Sequence, residues 1–141
     1  MPVIKKNGQV HICIDFHDLY RACLKDDFPL PHINLLIDNT AGYEMLSFMD
    51  DFLRYNQIRL AKEDRDKTSF TTSWGTYYYM VMSFDLKNAE TTYQCAMMVI
   101  FYDMIHINME VYVDDILVKS KMWKDHLKPS LKSYNDLVNI I

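Results

Sequence analysis

The sequence has no apolar run that approaches the roughly 18 to 20 residues of a membrane-spanning helix, so we expect no membrane segment. Its first residues also lack the apolar stretch of a secretory signal, which predicts an intracellular protein, in the cytoplasm or the nucleus. Cysteine is scarce, and Cys13, Cys23 and Cys95 are too far apart to form a C-x-x-C pair. This spacing argues against a disulfide framework or a zinc site and favours buried, reduced thiols.

The sequence also lacks the excess of basic residues that nucleic-acid-binding proteins normally carry. Its 15 Lys and Arg against 19 Asp and Glu give a formal net charge of −4, which argues against strong, unaided binding to nucleic acid. Internal repeats and low-complexity segments are absent too. What is present is a chain of 141 residues that is 50% hydrophobic and 13% aromatic. That composition excludes a disordered chain and suffices for one domain with a hydrophobic core.

The hydrophobic periodicity predicts an α+β domain, with helices packed on an antiparallel sheet. The clearest element is a helix over 86–104, where apolar residues recur at three- and four-residue steps. A second helical pattern begins at Trp123, and Pro129 should kink that helix or delay its start. The other predicted elements are a hairpin of 4–6 with 10–14, a helix at 33–37 ending near Gly42, strands at 43–49, 58–60, 68–72 and 76–82, and a solvated turn at 62–67.

Two adjacent carboxylates, Asp114 and Asp115, separate two β-rich runs in the segment EVYVDDILVK. The simple interpretation is a hairpin with a plain polar turn, since Asp is a favoured turn residue. The alternative is a cation site, because Asp50 ends another predicted strand 114 − 50 = 64 residues earlier. If that strand lies beside the hairpin, three carboxylates converge and repel one another unless a cation neutralises them. Magnesium prefers such oxygen ligands, and two ions about 3.5–4 Å apart promote phosphoryl transfer. The spacing leaves both interpretations open.

The motif YVDD at residues 112–115 resembles the catalytic box of reverse transcriptases. The surrounding stretches are similar to successive blocks of the reverse transcriptases of gypsy-type LTR retrotransposons, especially those of plants. These stretches are CIDFHDLYRA (13–22), KDDFPLPHINLLID (25–38), LSFMDDFLRYNQIRLA (46–61), KTSFTTSWGTYYYMVMSFDLKNAETTYQ (67–94) and MEVYVDDILVKS (109–120). The resemblance spans nearly the whole chain in the family's order, so it is far more specific than one motif. It favours an active site at the hairpin tip over a plain turn.

This resemblance implies a fingers-and-palm architecture, with helices on an antiparallel palm sheet and no thumb within the single unit 1–141. The fingers would comprise residues 1–45 and 58–84, the palm 46–57 and 85–122, and the start of a truncated helix 123–141. The implied activity is RNA- or DNA-templated DNA synthesis from a primer and deoxynucleoside triphosphates, with two Mg²⁺ or Mn²⁺ ions. The thumb and RNase H segments that follow in the family would have to be supplied in cis or in trans.

Residue by residue, the resemblance implies seven site residues. The catalytic, metal-binding carboxylates are Asp50, Asp114 and Asp115. Tyr55 falls on the aromatic residue that excludes a ribose 2′-hydroxyl, and Phe84 falls in the nucleotide-facing turn before the long helix. The remaining two are Lys5 and Lys6, near the fingertip strand where basic side chains meet the incoming triphosphate. Ordinary alternatives remain for these last four: two core aromatics and two solvated lysines.

Several positions differ from the family pattern, mostly on the nucleotide side of the expected site. Histidine stands where the family usually has arginine, which removes a fork of hydrogen-bond donors. Asp85 adds a negative charge where a triphosphate should lie, although Asp is also a good N-cap for the following helix. The differing residues are His11, His17, Tyr20, Asp51, Leu53, Arg54 and Asp85.

Three functions are compatible with these residues. The first is a palm fragment that keeps the metal carboxylates but has little or no polymerase activity alone. The second is a competent polymerase completed by another chain. The third is a non-enzymatic retroelement remnant that acts at most as an interaction or structural module. The intact carboxylates favour the first hypothesis over the third, and the altered nucleotide pocket favours it over the second.

Overall fold

The computed structural model describes residues 2–4, 6–8, 10–12, 14–50 and 54–138. Its helices are α1 (His17–Ala22), α2 (Ile33–Thr40), α3 (Lys62–Arg65), α4 (Ala89–Ile100) and α5 (Leu127–Val138). Its strands are β1 (Pro2–Ile4), β2 (Val10–Ile12), β3 (Met45–Asp50), β4 (Phe70–Thr72), β5 (Gly75–Tyr77), β6 (Met109–Tyr112) and β7 (Asp115–Ser120). Across these residues the strands form one antiparallel sheet in the order β3-β7-β6 and two antiparallel hairpins, β1-β2 and β4-β5. The predicted α+β class is confirmed.

The three-stranded sheet carries the core on one of its faces. Met109 and Val111 of β6 lie opposite Val118 and Ile116 of β7, and all four side chains are at most 3% exposed. Alternation along each strand sends these residues to the same side of the sheet. That side packs against a buried stripe at four-residue steps, formed by Tyr93, Met97 and Phe101. The apolar periodicity over 86–104 therefore identified this stripe correctly.

The long helix is shorter than its hydrophobic pattern predicts. The pattern covers 86–104, whereas α4 runs over Ala89–Ile100 and the flanking residues form turns. Asp85 is not the helix cap, because the helix starts later and its N-cap is Asn88. The Asn88 side chain accepts a hydrogen bond from the Asp26 N–H at 3.1 Å and donates one to the Leu24 carbonyl at 3.0 Å. It thereby ties the extended segment before α2 to the start of α4.

The predicted elements between residues 58 and 82 are also shorter or of another kind. Residues 58–60 make an isolated bridge, Arg59 with Val81, in place of the predicted strand. The predicted solvated turn at 62–67 contains α3 and a following 3-10 turn. Strands β4 and β5 are three residues each, against predicted runs of 68–72 and 76–82. The β4–β5 ladder ends at Phe70 and Tyr77, and Val81 further along the second run bridges to Arg59.

The cysteines are not uniformly buried, contrary to the expectation from the sequence. Cys23 is half-buried and Cys95 is exposed, and both are free thiols, while Cys13 lies outside the described residues. Cys95 follows the buried Tyr93 by two positions, and residues so spaced on a helix point to different sides. The helix that fills the core therefore carries one thiol on its outer side.

Helix α5 begins at Leu127, four residues after the start of its helical pattern at Trp123. A delayed start was one of the two effects predicted for Pro129, the other being a kink. Pro129 is the third residue of α5, in the first turn, where a missing N–H breaks no intrahelical hydrogen bond. Ser133 of this helix is fully buried, whereas its apolar stripe faces outward: Leu127, Leu131 and Tyr134 are 67%, 52% and 60% exposed. Neither α5 nor any other described helix is long and apolar enough to cross a membrane.

Candidate active site at the β6–β7 turn

The two aspartates of the YVDD motif lie at a tight turn between β6 and β7. Tyr112 pairs with Asp115, so Val113 and Asp114 are the two turn residues. Val113 has a φ of 51°, in the left-handed region. A β-branched residue is rarely found there, because its side chain crowds the backbone, and such a conformation persists only when the surroundings impose it. The turn is therefore held by contacts from outside the hairpin.

Gln94 of α4 supplies two of these contacts from the core side. The Val113 N–H donates to Gln94 Oε1 at 2.7 Å, and Gln94 Nε2 donates to the Val111 carbonyl at 3.1 Å. The Gln94 side chain is 1% exposed, so both hydrogen bonds are shielded from water. Sequence analysis missed this residue, although a signal existed. Gln94 is three positions before the buried Met97 and so shares the core face of the helix.

Strand β3 brings the third aspartate to the same end of the sheet. Met49 pairs with Ile116 and Asp50 pairs with Asp115, in antiparallel register. Directly opposed residues in such a pair have Cα atoms about 4.5–5.5 Å apart. The backbone of Asp50 is therefore a direct neighbour of the β6–β7 turn, on the side away from β6. The structure describes the backbone of Asp50 but not its side chain.

The carboxylates at the turn differ in exposure. Asp115 is exposed, whereas Asp114 is half-buried, and its Oδ1 atom is inaccessible to solvent. Among the side chains that the structure describes, no three His, Cys, Asp or Glu residues converge into a metal-binding group. That set includes Asp114 and Asp115 but not Asp50. Carboxylate oxygens are the ligands that Mg²⁺ prefers, and a protein commonly supplies one or two carboxylates to the ion. The carboxylates of Asp114 and Asp115 therefore suit Mg²⁺ in kind and in number.

Tyr55 lies in the core below the turn. It is 7% exposed, and its ring packs edge-on against Tyr93 with the ring centres 5.3 Å apart. Tyr93 directly precedes Gln94, so the aromatic pair and the turn are held by adjacent residues of α4. The structure thus places Tyr55 close to the elements that support the turn and largely out of solvent.

The other predicted nucleotide contacts lie apart from the core. Phe84 is 56% exposed and borders a shallow depression together with Asp85, His17 and Tyr20. Lys6 is exposed in the turn between β1 and β2, and Lys5 lies outside the described residues. Three positions that differ from the family pattern therefore surround Phe84.

Comparison with known proteins identifies the family. The family model described as "Reverse transcriptase (RNA-dependent DNA polymerase)" matches residues 3–139. The chain belongs to the reverse transcriptase family. A retrovirus-related Pol polyprotein from the transposon gypsy of Drosophila melanogaster is 32% identical over 122 residues, which are 86% of this chain and 12% of that polyprotein. An RNA-directed DNA polymerase homolog of Oenothera berteroana is 31% identical over 122 residues, covering 84% of this chain and 86% of that protein.

Solved reverse transcriptases share the fold. The native protease–reverse transcriptase of prototype foamy virus superimposes with a TM-score of 0.85 at 17% identity, over 99% of this chain and 18% of the viral chain. The foamy viral enzyme in complex with double-stranded DNA gives 0.83 at 18% identity, over 99% of this chain and 24% of that one. The predicted kinship to LTR-retrotransposon reverse transcriptases and the fingers-and-palm fold are confirmed. Reverse transcriptases generally use divalent metal ions.

Proposed function

We propose that this chain is the fingers-and-palm part of an RNA-directed DNA polymerase that transfers nucleotides from deoxynucleoside triphosphates to a primer paired with an RNA or DNA template. The observation that carries the proposal is the register of the sheet, in which Asp50 is the direct neighbour of Asp115 at the turn that also contains Asp114. In this assignment residues 1–45 and 58–84 are fingers and 46–57 and 85–122 are palm. The reaction would take place inside the cell, in the cytoplasm or the nucleus.

The metal-binding residues in this proposal are Asp50, Asp114 and Asp115. Two Mg²⁺ or Mn²⁺ ions, when bound, would stabilise the negative charge on the attacking 3′-oxygen and on the leaving pyrophosphate. The chain's contribution is to hold the carboxylates in place: Gln94 fixes the turn from the core side, and pairing with β7 fixes the end of β3. Preorganised carboxylates avoid the cost of rearranging charged side chains during the reaction.

Tyr55, Phe84, Lys5 and Lys6 are proposed to contact the incoming nucleotide. A steric filter against the ribose 2′-hydroxyl must be rigid, and the edge-on packing of Tyr55 on Tyr93 supports such a role. Phe84 offers an exposed ring, and base–aromatic stacking contributes about 1–3 kcal/mol per base. The exposed position of Lys6 leaves its ammonium accessible to a triphosphate.

The chain alone should be weak or inactive as a polymerase. It spans 12% of the gypsy polyprotein and 18% of the foamy virus chain, so further segments in cis or in trans would supply the grip on template and primer. Its net charge of −4 does not favour unaided binding to a polyanion. Asp85 adds another negative charge beside Phe84. Both features weaken substrate binding and leave the carboxylates unaffected.

Metal titration of the purified chain tests the proposal most directly. We expect weak Mn²⁺ binding by electron paramagnetic resonance, reduced in Asp114→Asn and in Asp50→Asn. Asp125→Asn is the matched control, because Asp125 is an exposed aspartate in the 3-10 turn before α5. Equal binding by the parent and the two site variants, or no binding by any, would refute the metal site. Primer extension with RNA and DNA templates should be weak or absent for the chain alone. Extension by the parent that is lost in Asp115→Ala would show that the chain is competent without further segments.

A second candidate function is a non-enzymatic retroelement remnant that acts as an interaction or structural module. The observation in its favour is the extent of exposed apolar surface, which includes Phe48, Trp74 and Tyr102 at 76%, 87% and 84% exposure. Large exposed apolar patches mark association surfaces. Concentration-dependent mass in solution without cation binding would favour this function, and a monomer that binds Mn²⁺ would exclude it.

A further inference from the structure

Two buried charges lie on the β6–β7 hairpin and take no part in the proposed chemistry. Glu110 of β6 is 2% exposed and Lys119 of β7 is 1% exposed, and Glu110 Oε1 lies 2.7 Å from Lys119 Nζ. Neighbours Met109, Val111 and Val118 belong to the core cluster, so strand alternation puts both charges on the opposite face of the sheet. A charged pair is costly to bury, which makes its presence here informative.

Every charged group of the pair has additional partners. Lys119 Nζ donates to the Asn39 carbonyl at 2.8 Å and lies 4.7 Å from the centre of the Tyr43 ring. Glu110 Oε2 lies 3.0 Å from Nδ1 of His106. Asn39 is in the last turn of α2, where carbonyls have no intrahelical partner and a cation is favoured. Lys119 therefore connects the end of α2 to the catalytic hairpin.

These contacts depend on the alignment of the two strands. The Lys119 N–H donates to the Asn108 carbonyl at 2.7 Å, and Glu110 lies opposite Leu117, so the ion pair is diagonal across the ladder. A slip of one residue would turn one strand over and bring its charge to the core face, where the structure offers apolar neighbours. Two apolar residues in these places would remove this part of the penalty and leave only the part that comes from displacing core residues such as Met109 and Val111. A slip of β6 along β7 would also displace the Val113–Asp114 turn relative to Asp115, which pairs with Asp50.

We propose that the Glu110–Lys119 pair positions the Val113–Asp114 turn, by fixing the register of β6 on β7 and by tying the hairpin to the end of α2. Buried ion pairs often add little stability compared with well-packed apolar residues, so a role in specifying one arrangement accounts better for this one. The inference rests on the proposed function, because the position of the turn affects catalysis only if its aspartates bind the cations.

The test compares an apolar replacement with a conservative one. Glu110→Leu with Lys119→Leu removes both charges together, so neither is left buried alone, and Lys119→Arg keeps a cation at this position. The control removes the exposed pair Asp64–Lys67, whose side chains are 48% and 61% exposed, in Asp64→Leu with Lys67→Leu. Each protein is measured by thermal unfolding, by amide exchange at Val113 and by Mn²⁺ titration.

The double apolar variant should melt close to the parent but lose the defined turn. We expect exchange at Val113 to accelerate about tenfold or more and the Mn²⁺ dissociation constant to rise by about tenfold, the usual effect of removing support for metal ligands. The surface control should retain the parental values of both, and Lys119→Arg should lie closer to the parent than the double apolar variant does.

Two results would overturn the inference. If the double apolar variant keeps both slow exchange at Val113 and parental Mn²⁺ affinity, the pair does not position the turn. If that variant is unfolded, the pair is required for the fold itself and the inference is equally wrong. If the parent binds no Mn²⁺, the metal site of the proposed function fails separately, and amide exchange alone decides whether the pair positions the turn.

Discussion

Replacing Gln94 by leucine should loosen the β6–β7 turn and destabilise the chain. Leucine approximates the volume of glutamine but can neither accept from the Val113 N–H nor donate to the Val111 carbonyl. Each lost hydrogen bond removes about 0.5–1.5 kcal/mol, and a buried backbone group that loses its partner costs about 1–3 kcal/mol. The added apolar burial offsets part of this loss. We therefore expect the free energy of unfolding to fall by about 2–4 kcal/mol.

The turn should change along with the stability. Holding Val113 at a φ of 51° costs about 1–3 kcal/mol, and the hydrogen bond from its N–H to Gln94 offsets part of this cost. Without that bond the turn can relax to a less strained backbone and carry Asp114 with it. Urea denaturation followed by circular dichroism measures the stability, and amide exchange at Val113 measures the turn.

Glu90→Leu is the matched control for this prediction. Glu90 lies one helical turn earlier on α4 and is exposed, so its replacement should change the free energy of unfolding by less than about 0.5 kcal/mol. If Gln94→Leu unfolds at the same urea concentration as this control and exchange at Val113 is unaltered, the hydrogen bonds from α4 do not support the turn, and the reasoning is refuted.

Three other predictions test the packing and the charges. Tyr55→Ala should lower the free energy of unfolding by about 3–5 kcal/mol, whereas Phe84→Ala should cost less than about 1 kcal/mol, because only the first ring is buried; equal losses in urea denaturation would contradict this. The hydrogen bond from Lys132 lowers the pKa of Asp103 below its ordinary 3.8, so the stability difference between the parent and Asp103→Asn should be present at neutral pH and vanish as the pH falls through that lowered pKa; a difference that grows in acid would be the wrong sign. Pro129→Ala should change stability by less than about 1 kcal/mol, since a proline costs about 3 kcal/mol only inside a helix; a larger change in thermal unfolding would show that it is not in the first turn.

The sequence predicts best those elements whose buried residues recur at a regular spacing along the chain. The stripe at Tyr93, Met97 and Phe101 follows from the three- and four-residue periodicity of 86–104, and it is buried as expected. The approach of Asp50 to Asp115 is different, because it depends on pairing between distant strands. Spacing left that pairing open, and the resemblance to reverse transcriptases made it the favoured arrangement.

The buried pair of Glu110 and Lys119 could not be predicted because its burial comes from other elements. Glu110 and Lys119 look like solvent-facing residues of two amphipathic strands, and only the packing of α2 and Tyr43 over that face encloses them. In α5 the periodicity does not reveal which face is buried. Its apolar stripe has the periodicity of a core face, yet the helix packs through Ser133 and leaves Leu131 exposed, since periodicity defines a face without saying which neighbour covers it.

Three of the seven changes from the family pattern border the same part of the proposed site. His17, Tyr20 and Asp85 border the depression beside Phe84, whereas the carboxylates and the hydrogen bonds of Gln94 to the turn are intact. In the proposed function, cation binding would depend on the turn and nucleotide binding on the depression, so the two could fail independently. Titration with Mn²⁺ followed by a deoxynucleoside triphosphate separates them. Retained cation binding without nucleotide binding would locate the impairment beside Phe84, and Asp85→Gly, which removes the added charge, should then restore part of the nucleotide affinity. Loss of both would locate it in the turn, and the same substitution should restore nothing.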